Sequence, residues 1–556
     1  LLPASKRPIR IGRITGYTKQ LNDYYQAWPQ IIPSFYIDTA SQLPDVKLFN
    51  VGALPSSFTR LSAAPFLVPA IIEALFQCER YADLVEVVPG EADLYCADYV
   101  RTHGGVVFTG DSDLLIHELG DGAVSFFKDI DLTASANKTS LTCIQYQVGA
   151  IVQRLGLAGT HGLLALAFEM TMDTHASFRE LVRKAVKLNA VSLHGPLYQD
   201  FANEYRALHC SVKLQETFKS GYVVHSPSLS RQLKMLDPRV SEYLLQLSEF
   251  SQAVGPPESI LSRSIVHQSH IDVFLPFLLD CPLRTSAWEM STSVRQLAYG
   301  LVNLVLPQEE SVLKVTEYRR LQSGSRGREW QVPAAQDLPK ACADLHELFK
   351  NLQIGMSLLP EQTIWRALAI YQDQELHLST GKSGLSSTII KRSKSVKDFP
   401  FRLTWDVIHL SAQFQGSYYS FRMLKQILSI VLLYDESKTL PLALHQLQVD
   451  LKSLPALEEL PPVVDIIRNI GDPDDQTILK MVQGLLGIKP VDEMIKVRKK
   501  RNKKKRKTGD ASEVSKHEES PDCQGEKMNR GESNGQDELK CQRKGTNNIF
   551  EFLSTS

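Results

Sequence analysis

Val88-Pro89-Gly90-Glu91-Ala92-Asp93-Leu94-Tyr95-Cys96-Ala97 and, shortly after it, Val106-Val107-Phe108-Thr109-Gly110-Asp111-Ser112-Asp113-Leu114-Leu115 decide how this chain is read. Asp83 to Val88 and Gly105 to Thr109 are short β-branched runs bounded by turn residues, the pattern of buried strands in a parallel sheet. Between them Glu91 to His103 has helical spacing, with Leu94, Ala97, Tyr99 and Val100 available for one apolar side. The expected unit is strand–helix–strand, with one acid-x-acid pair beyond the carboxyl end of each strand. Open α/β sheets place ligands at that edge. Four carboxylates converging there repel one another unless a cation lies between them, so the residues point to a divalent metal site. Each pair alone has a plainer explanation. An Asp-x-Asp after a strand is commonly a helix N-cap, and a Glu-x-Asp in a first helical turn suits the helix dipole. It is the two pairs on consecutive strands of one unit that argue for Glu91, Asp93, Asp111 and Asp113 as catalytic and metal-ligating candidates.

At this point the residues resemble a family. Pro89-Gly90-Glu91-Ala92-Asp93 followed by Thr109-Gly110-Asp111-Ser112-Asp113-Leu114-Leu115 is similar to the internal region of the XPG/flap-endonuclease nucleases, and most of all to their asteroid-like branch found in fungi. The resemblance covers about residues 65–175. It implies an α/β fold: a PIN/flap-endonuclease-like parallel sheet core, followed here by a large mostly helical domain and a disordered C-terminal tail. It also implies that each of the four acids is a metal-site carboxylate. A further family acid follows a later apolar helix; Leu163 to Asp173 fits that pattern loosely and makes Asp173 the candidate, with a loop aspartate as the plainer alternative. Ser5-Lys6-Arg7-Pro8-Ile9-Arg10 and the helix after it resemble the basic arch over the family's active site, so Lys6, Arg10 and Arg13 are the candidate phosphate contacts, against a merely solvated helix face.

Two departures from the family bear on substrate. Active members draw two more aspartates from amino-terminal strands ending in Phe-Asp-Gly, and this sequence opens just after that point. The Gly-Ile-Gly helix–turn–helix that grips duplex DNA is replaced by Thr174-His175-Ala176-Ser177-Phe178. The function expected from the resemblance is therefore Mg²⁺- (or Mn²⁺-) dependent, structure-selective hydrolysis of branched or single-stranded nucleic acid, DNA or RNA. The residues as given are expected to be incomplete for cleavage. The alternative is a catalytically silent scaffold in RNA or protein complexes; a small-molecule phosphatase has only the acids themselves in its favour.

Composition sets the bounds. The chain has 556 residues, 43% of them hydrophobic, enough for two to four domains with a sizeable core. Its apolar runs fall short of the ~20 residues a membrane helix needs, the nearest being Gly162–Met172, which Glu169 interrupts. No membrane partner and no secretory leader are expected. The eight cysteines are dispersed without ligand spacing, which fits a reduced compartment and no structural zinc. Lys496 to Lys507 carries ten basic residues in twelve, whereas residues 1–495 hold 46 basic against 52 acidic residues. A strongly basic nucleic-acid binder is thus excluded for the folded part, and any grip must come from local patches and bound metal. The basic run is the expected contact for a nuclear import receptor, giving a nuclear protein.

The organisation follows. Residues 1–64 form an arch-like helical segment, 65–190 the α/β core, 191–490 a helical domain, and 491–556 the basic run and a polar, aromatic-poor tail. Helices are expected over Arg10–Gln26, 65–79, 147–156, 161–172 and 177–189, and further strands over Val124–Phe127 and Ser140–Tyr146. In the 65–79 helix Phe66, Val68, Ile71, Ile72, Leu75 and Phe76 supply the expected buried surface.

Overall fold

Sixteen α-helices and seven short strands organise the described residues. The computed structural model describes residues 6–30, 61–62, 65–88, 91–135, 138–187, 190–205, 227–247, 250, 270–320, 326–360, 363–378, 384–393, 404–434, 440–459 and 473–488. Pro89-Gly90, the Ser251–Ser262 loop, Lys496–Lys507, the 508–545 tail and the Ile549–Leu553 apolar cluster lie outside them. The described residues up to Gly487 form one compact unit. Among the described residues, no helix is long and apolar enough to cross a membrane.

Helix α1 (Lys6–Ala27) is followed by α2 (Leu67–Gln77) and then α3 (Ala92–His103). The limits of α3 are written in its residues. Glu91 is extended and takes the N-cap position, Asp93 sits in the first turn, and Arg101 and His103 sit in the last, the charge order a helix dipole favours. Gly104, at φ 71°, ends the helix by giving its N–H to the Val100 carbonyl. The chain then reverses into β1 (Val106–Thr109), which pairs in parallel with β2 (Ala123–Phe126), Val106 opposite Ala123. All four residues of β2 are buried, as a continuous run in a parallel pair requires. A hairpin of β3 (Ile130–Ser135) and β4 (Lys138–Cys143) follows, and Tyr146 bridges back to Val124. Helices α4 (Val148–Arg154), α5 (Gly162–Met172), α6 (Phe178–Lys187) and α7 (Ala190–Glu204) complete this region.

Three expectations are corrected here. Asp83 to Val88 is not a strand: Ala82–Leu84 is a 3₁₀ turn, and although Val85 is extended, no strand pairs with the segment among the described residues. A β-branched run favours extension, but a strand needs a neighbour to take its N–H and C=O groups. In α2, Val68 and Ile71 face solvent, and the buried positions are Phe66 and Pro69. Tyr99 is likewise exposed and stacks on His103 one turn later, its ring centroid 4.4 Å away.

The second half is mostly helical but is not all helix. After α8 (Pro227–Leu233) and α9 (Pro238–Leu244), strand β5 (His270–Phe274) pairs in parallel with β6 (Lys314–Tyr318), which pairs antiparallel with β7 (Arg328–Gln331). Helices α10 (Thr292–Leu301), α11 (Leu338–Gly355), α12 (Thr363–Leu378), α13 (Leu385–Ser393), α14 (Trp405–Tyr434), α15 (Leu442–Lys452) and α16 (Pro473–Leu485) pack mainly on one another. The 30-residue α14 is apolar on nearly every side because it runs through the main core, packing on α10 and on the 3₁₀ turn Ala287–Ser291.

At the centre of that core lies an ion pair. Arg295 on α10 grips Glu317 on β6 with two parallel bonds, Nε–Oε1 at 2.6 Å and Nη2–Oε2 at 3.0 Å, and neither side chain is exposed. Ser291 and Ser420 accept from the third nitrogen, while Tyr299 and Trp330 donate to the carboxylate. Burial alone would raise the Glu317 carboxyl; Arg295 and then Arg319 outweigh it and hold it below the usual carboxylate range. Its contribution to stability is therefore present above the ordinary carboxylate pKa and is lost as pH falls through the lowered one.

Removing one partner of a buried pair strands the other charge, at a cost of about 3–5 kcal/mol. Arg295→Ala should lower unfolding stability by about that much in chemical denaturation. Exposed Lys19→Ala on α1 should change it by less than about 0.5 kcal/mol. A loss under about 1 kcal/mol for Arg295→Ala would contradict this account of the core.

Candidate functional site

Glu91 and Asp93 stand at the start of helix α3, and Asp111 and Asp113 follow the carboxyl end of β1. Helix α3 packs on β1 and touches the 3₁₀ turn Asp113–Ile116 that follows it. The turn at Gly104-Gly105 reverses the chain between α3 and β1. The spacing of α3 from the sheet depends on one glycine. A Cβ at Gly122, just before β2, would overlap the Cγ1 of Val100 on α3.

Asp111 is exposed, and its Oδ1 accepts the Asp113 N–H at 3.2 Å, while its own N–H donates to the Thr109 hydroxyl at 2.9 Å. Asp111 thus braces the start of the turn that follows β1. The backbone bond orients the carboxylate and leaves Oδ2 clear of it. Glu91 and Asp93 are half-buried. Asp93 lies close enough to Cys96 to reinforce burial in raising that thiol, and the Glu91 charge acts on Arg10. Among the described residues, no three His, Cys, Asp or Glu side chains form a group that could hold a metal ion. The four carboxylates therefore form no all-protein cage. Mg²⁺ keeps several waters and is commonly held by one or two carboxylates, so the donor chemistry fits it in that form.

Asp173 follows α5 as its C-cap. Its Oδ2 accepts from Lys184 at 2.7 Å and its Oδ1 from the His175 and Ala176 N–H groups, and the Lys184 bond, ahead of the backbone bonds, holds the carboxyl below its usual range. It closes the α5–α6 turn. One helical turn earlier stands Glu169, buried, with Oε1 lacking any hydrogen-bond partner among the described residues. Glu169 was legible only as an acid interrupting an apolar run. It is the one buried acid among the described residues of 91–205, on a helix that touches the Asp113–Ile116 turn.

Of the three basic candidates on α1, Arg10 pairs with Glu242 on α9 and lies over the Phe274 ring at 4.8 Å. Burial lowers its pKa, against the opposing pull of Glu242 and, more weakly, Glu91. Arg13 is exposed, and the Lys6 side chain lies outside the description. The side chain that sequence reading missed on this helix is Arg7. It bonds Asp272 at 3.1 Å and also the Tyr318 hydroxyl, so α1 is fastened to β5 and β6. Farther along, Leu21 and Tyr24 pack with Cys281, Trp405 and Ile408.

Residues 63–332 match the family model described as XPG domain containing, and this match supports membership of the XPG-domain superfamily. The matched span extends well past residue 175 and takes in the β5–β7 sheet. No curated protein and no solved structure shows significant similarity to the chain.

If Gly122 sets the distance of α3 from the sheet, Gly122→Ala should cost about 1–3 kcal/mol by overpacking. Adding Val100→Ala should recover part of that loss, a coupling of at least about 0.5 kcal/mol in a double-mutant cycle. Additive losses would contradict the contact.

Proposed function

We propose that the XPG-domain region is part of a Mg²⁺- (or Mn²⁺-) dependent nuclease that hydrolyses phosphodiester bonds in nucleic acid, to which this sequence contributes Glu91, Asp93, Asp111 and Asp113 as metal-holding carboxylates without completing the cleavage site. Superfamily membership suggests a nuclease-like protein. What supports the reading further is that Glu91 and Asp93 open α3, a helix that packs on β1 and touches the Asp113–Ile116 turn, and that Asp111 and Asp113 follow the carboxyl end of β1. Asp111 is held in place by the Asp113 N–H, and Glu91 and Asp93 sit at a helix start, where the positive dipole end steadies carboxylates. Bound Mg²⁺ would supply a water acidified for attack and neutralise charge on the phosphate.

The test pairs metal binding with cleavage. Titration of the full chain with Mn²⁺ should show a site weakened at least tenfold in Asp111→Asn, which keeps an acceptor for the Asp113 N–H. Cleavage of flap, bubble or single-stranded substrates, where present, should fall at least a hundredfold in the same variant. Mn²⁺ binding untouched by the substitution, or a chain that binds nucleic acid but neither metal nor Asp111-dependent cleavage chemistry, would replace the nuclease by a silent scaffold.

Nucleic-acid chemistry in a nucleus also needs an import signal, and Lys496–Lys507 supplies the charge for a nuclear import receptor. A reporter carrying residues 490–510 should concentrate in nuclei; a reporter that stays cytoplasmic removes this part of the reading.

A further inference from the structure

Between α1 and the β5–β7 sheet lies a cleft of about 790 Å³ that none of the four acids lines. Its helical wall combines Pro8, Ile11 and Gly12 with the Thr15 hydroxyl, and its sheet wall carries His270 and Thr316, which bond each other at 2.8 Å. Two guanidinium groups face this space, Arg7 from the helix and Arg326 from the start of the β7 arm. Arg7 bonds Asp272 and Tyr318 through Nε and Nη2, so Nη1 is outside those bonds. Arg326 is exposed and makes no ion pair among the described residues. The acid in the lining, Glu329, is taken by Lys314 at 2.8 Å, which leaves the lining net positive. The volume lies in the range of small-molecule sites.

Two guanidinium groups beside the Pro8–Ile11 face with hydroxyl and imidazole groups opposite match a molecule that is anionic at one end and flat and hydrogen-bonding at the other. Arginine forks suit phosphate oxygens, and an apolar helix face suits a base. We propose that this cleft binds a nucleotide through its phosphate, with Arg7 and Arg326 on the phosphate and the Pro8–Ile11 face against the base. The ligand is either a free mononucleotide or the 5′-phosphorylated end of a single strand. The proposal goes beyond the nuclease reading and does not depend on it.

Binding is measured on the full chain in EDTA, so its failure leaves the carboxylate reading untouched, and loss of metal binding leaves this one untouched. The probes are dTMP, thymidine, and a short oligo-dT with and without a 5′-phosphate. The phosphorylated forms should bind at least tenfold more tightly than their unphosphorylated counterparts. An oligonucleotide tenfold tighter than dTMP marks a strand end as the ligand, and equal affinities mark the free nucleotide. Arg326→Ala should weaken binding at least tenfold. Gly12→Trp should abolish it, because a Cβ at Gly12 meets nothing within 4 Å and the indole would fill the cleft. Thermal melting should show both variants folded, since one removes an exposed side chain and the other replaces a mid-helix glycine. No binding of any phosphorylated probe, equal binding of dTMP and thymidine, or folded variants that bind as the wild type does would each overturn the proposal.

Discussion

The structure of the compact unit depends on a charge pair taken wholly out of water. Arg295 and Glu317 are unexposed, and each remaining hydrogen-bonding position that the pair presents meets a hydroxyl or indole group: Ser291, Ser420, Tyr299, Trp330. Such a pair adds little net stability over an apolar replacement, but it tolerates no partial disruption. Its members come from five elements: the 3₁₀ turn Ala287–Ser291, helix α10, strands β6 and β7, and α14. Fixing Glu317 fixes β6, and β6 orders β5 and β7 through its ladders on either side. The sheet then provides Asp272, Phe274 and Tyr318, the groups on which Arg7, Arg10 and Ile14 of α1 rest.

This chain of contacts links the two halves of the molecule functionally. Helix α1 is held on the sheet of the second half, yet Arg10 on it feels the charge of Glu91 at the amino end of α3. The basic residues at its start are therefore drawn toward fixed carboxylates of the body, Glu242 and Asp272, rather than standing free. The family match ends at residue 332, just after β7, so the matched region includes the same sheet. The elements that place the acids and the elements that seat α1 belong to one span.

The limits of α3 and β1 were legible because their signals are local. A cap, a first-turn acid and a terminating glycine mark α3, and a β-branched run followed by Gly-Asp marks the end of β1. The misreadings are all non-local. Asp83 to Val88 has strand residues but no paired neighbour among the described residues. Val68 and Ile71 have core residue types but lie on the face of α2 that nothing described covers. His270-Ile271-Asp272-Val273-Phe274 and Lys314-Val315-Thr316-Glu317-Tyr318 each alternate over only five residues amid helical sequence, too short a signal to stand out. Glu317 illustrates the difficulty: it reads as a solvent-facing residue in a strand and is buried only because Arg295, 22 residues earlier, is buried with it. Asp173 and Glu169 mark the same limit at the site, since the carboxylate the spacing selected is engaged by Lys184 while the buried one sits a turn away.

The central claim is that Glu91, Asp93, Asp111 and Asp113 hold a divalent ion together at one sheet edge. Paramagnetic broadening of backbone amide signals by substoichiometric Mn²⁺ tests it most directly, because it locates the ion without requiring activity. The account predicts selective loss of the Ala92–Leu94 and Ser112–Leu114 signals together, reversed by EDTA and absent in Asp111→Asn. Broadening at only one of the two segments, at neither, or unchanged by the substitution would contradict it.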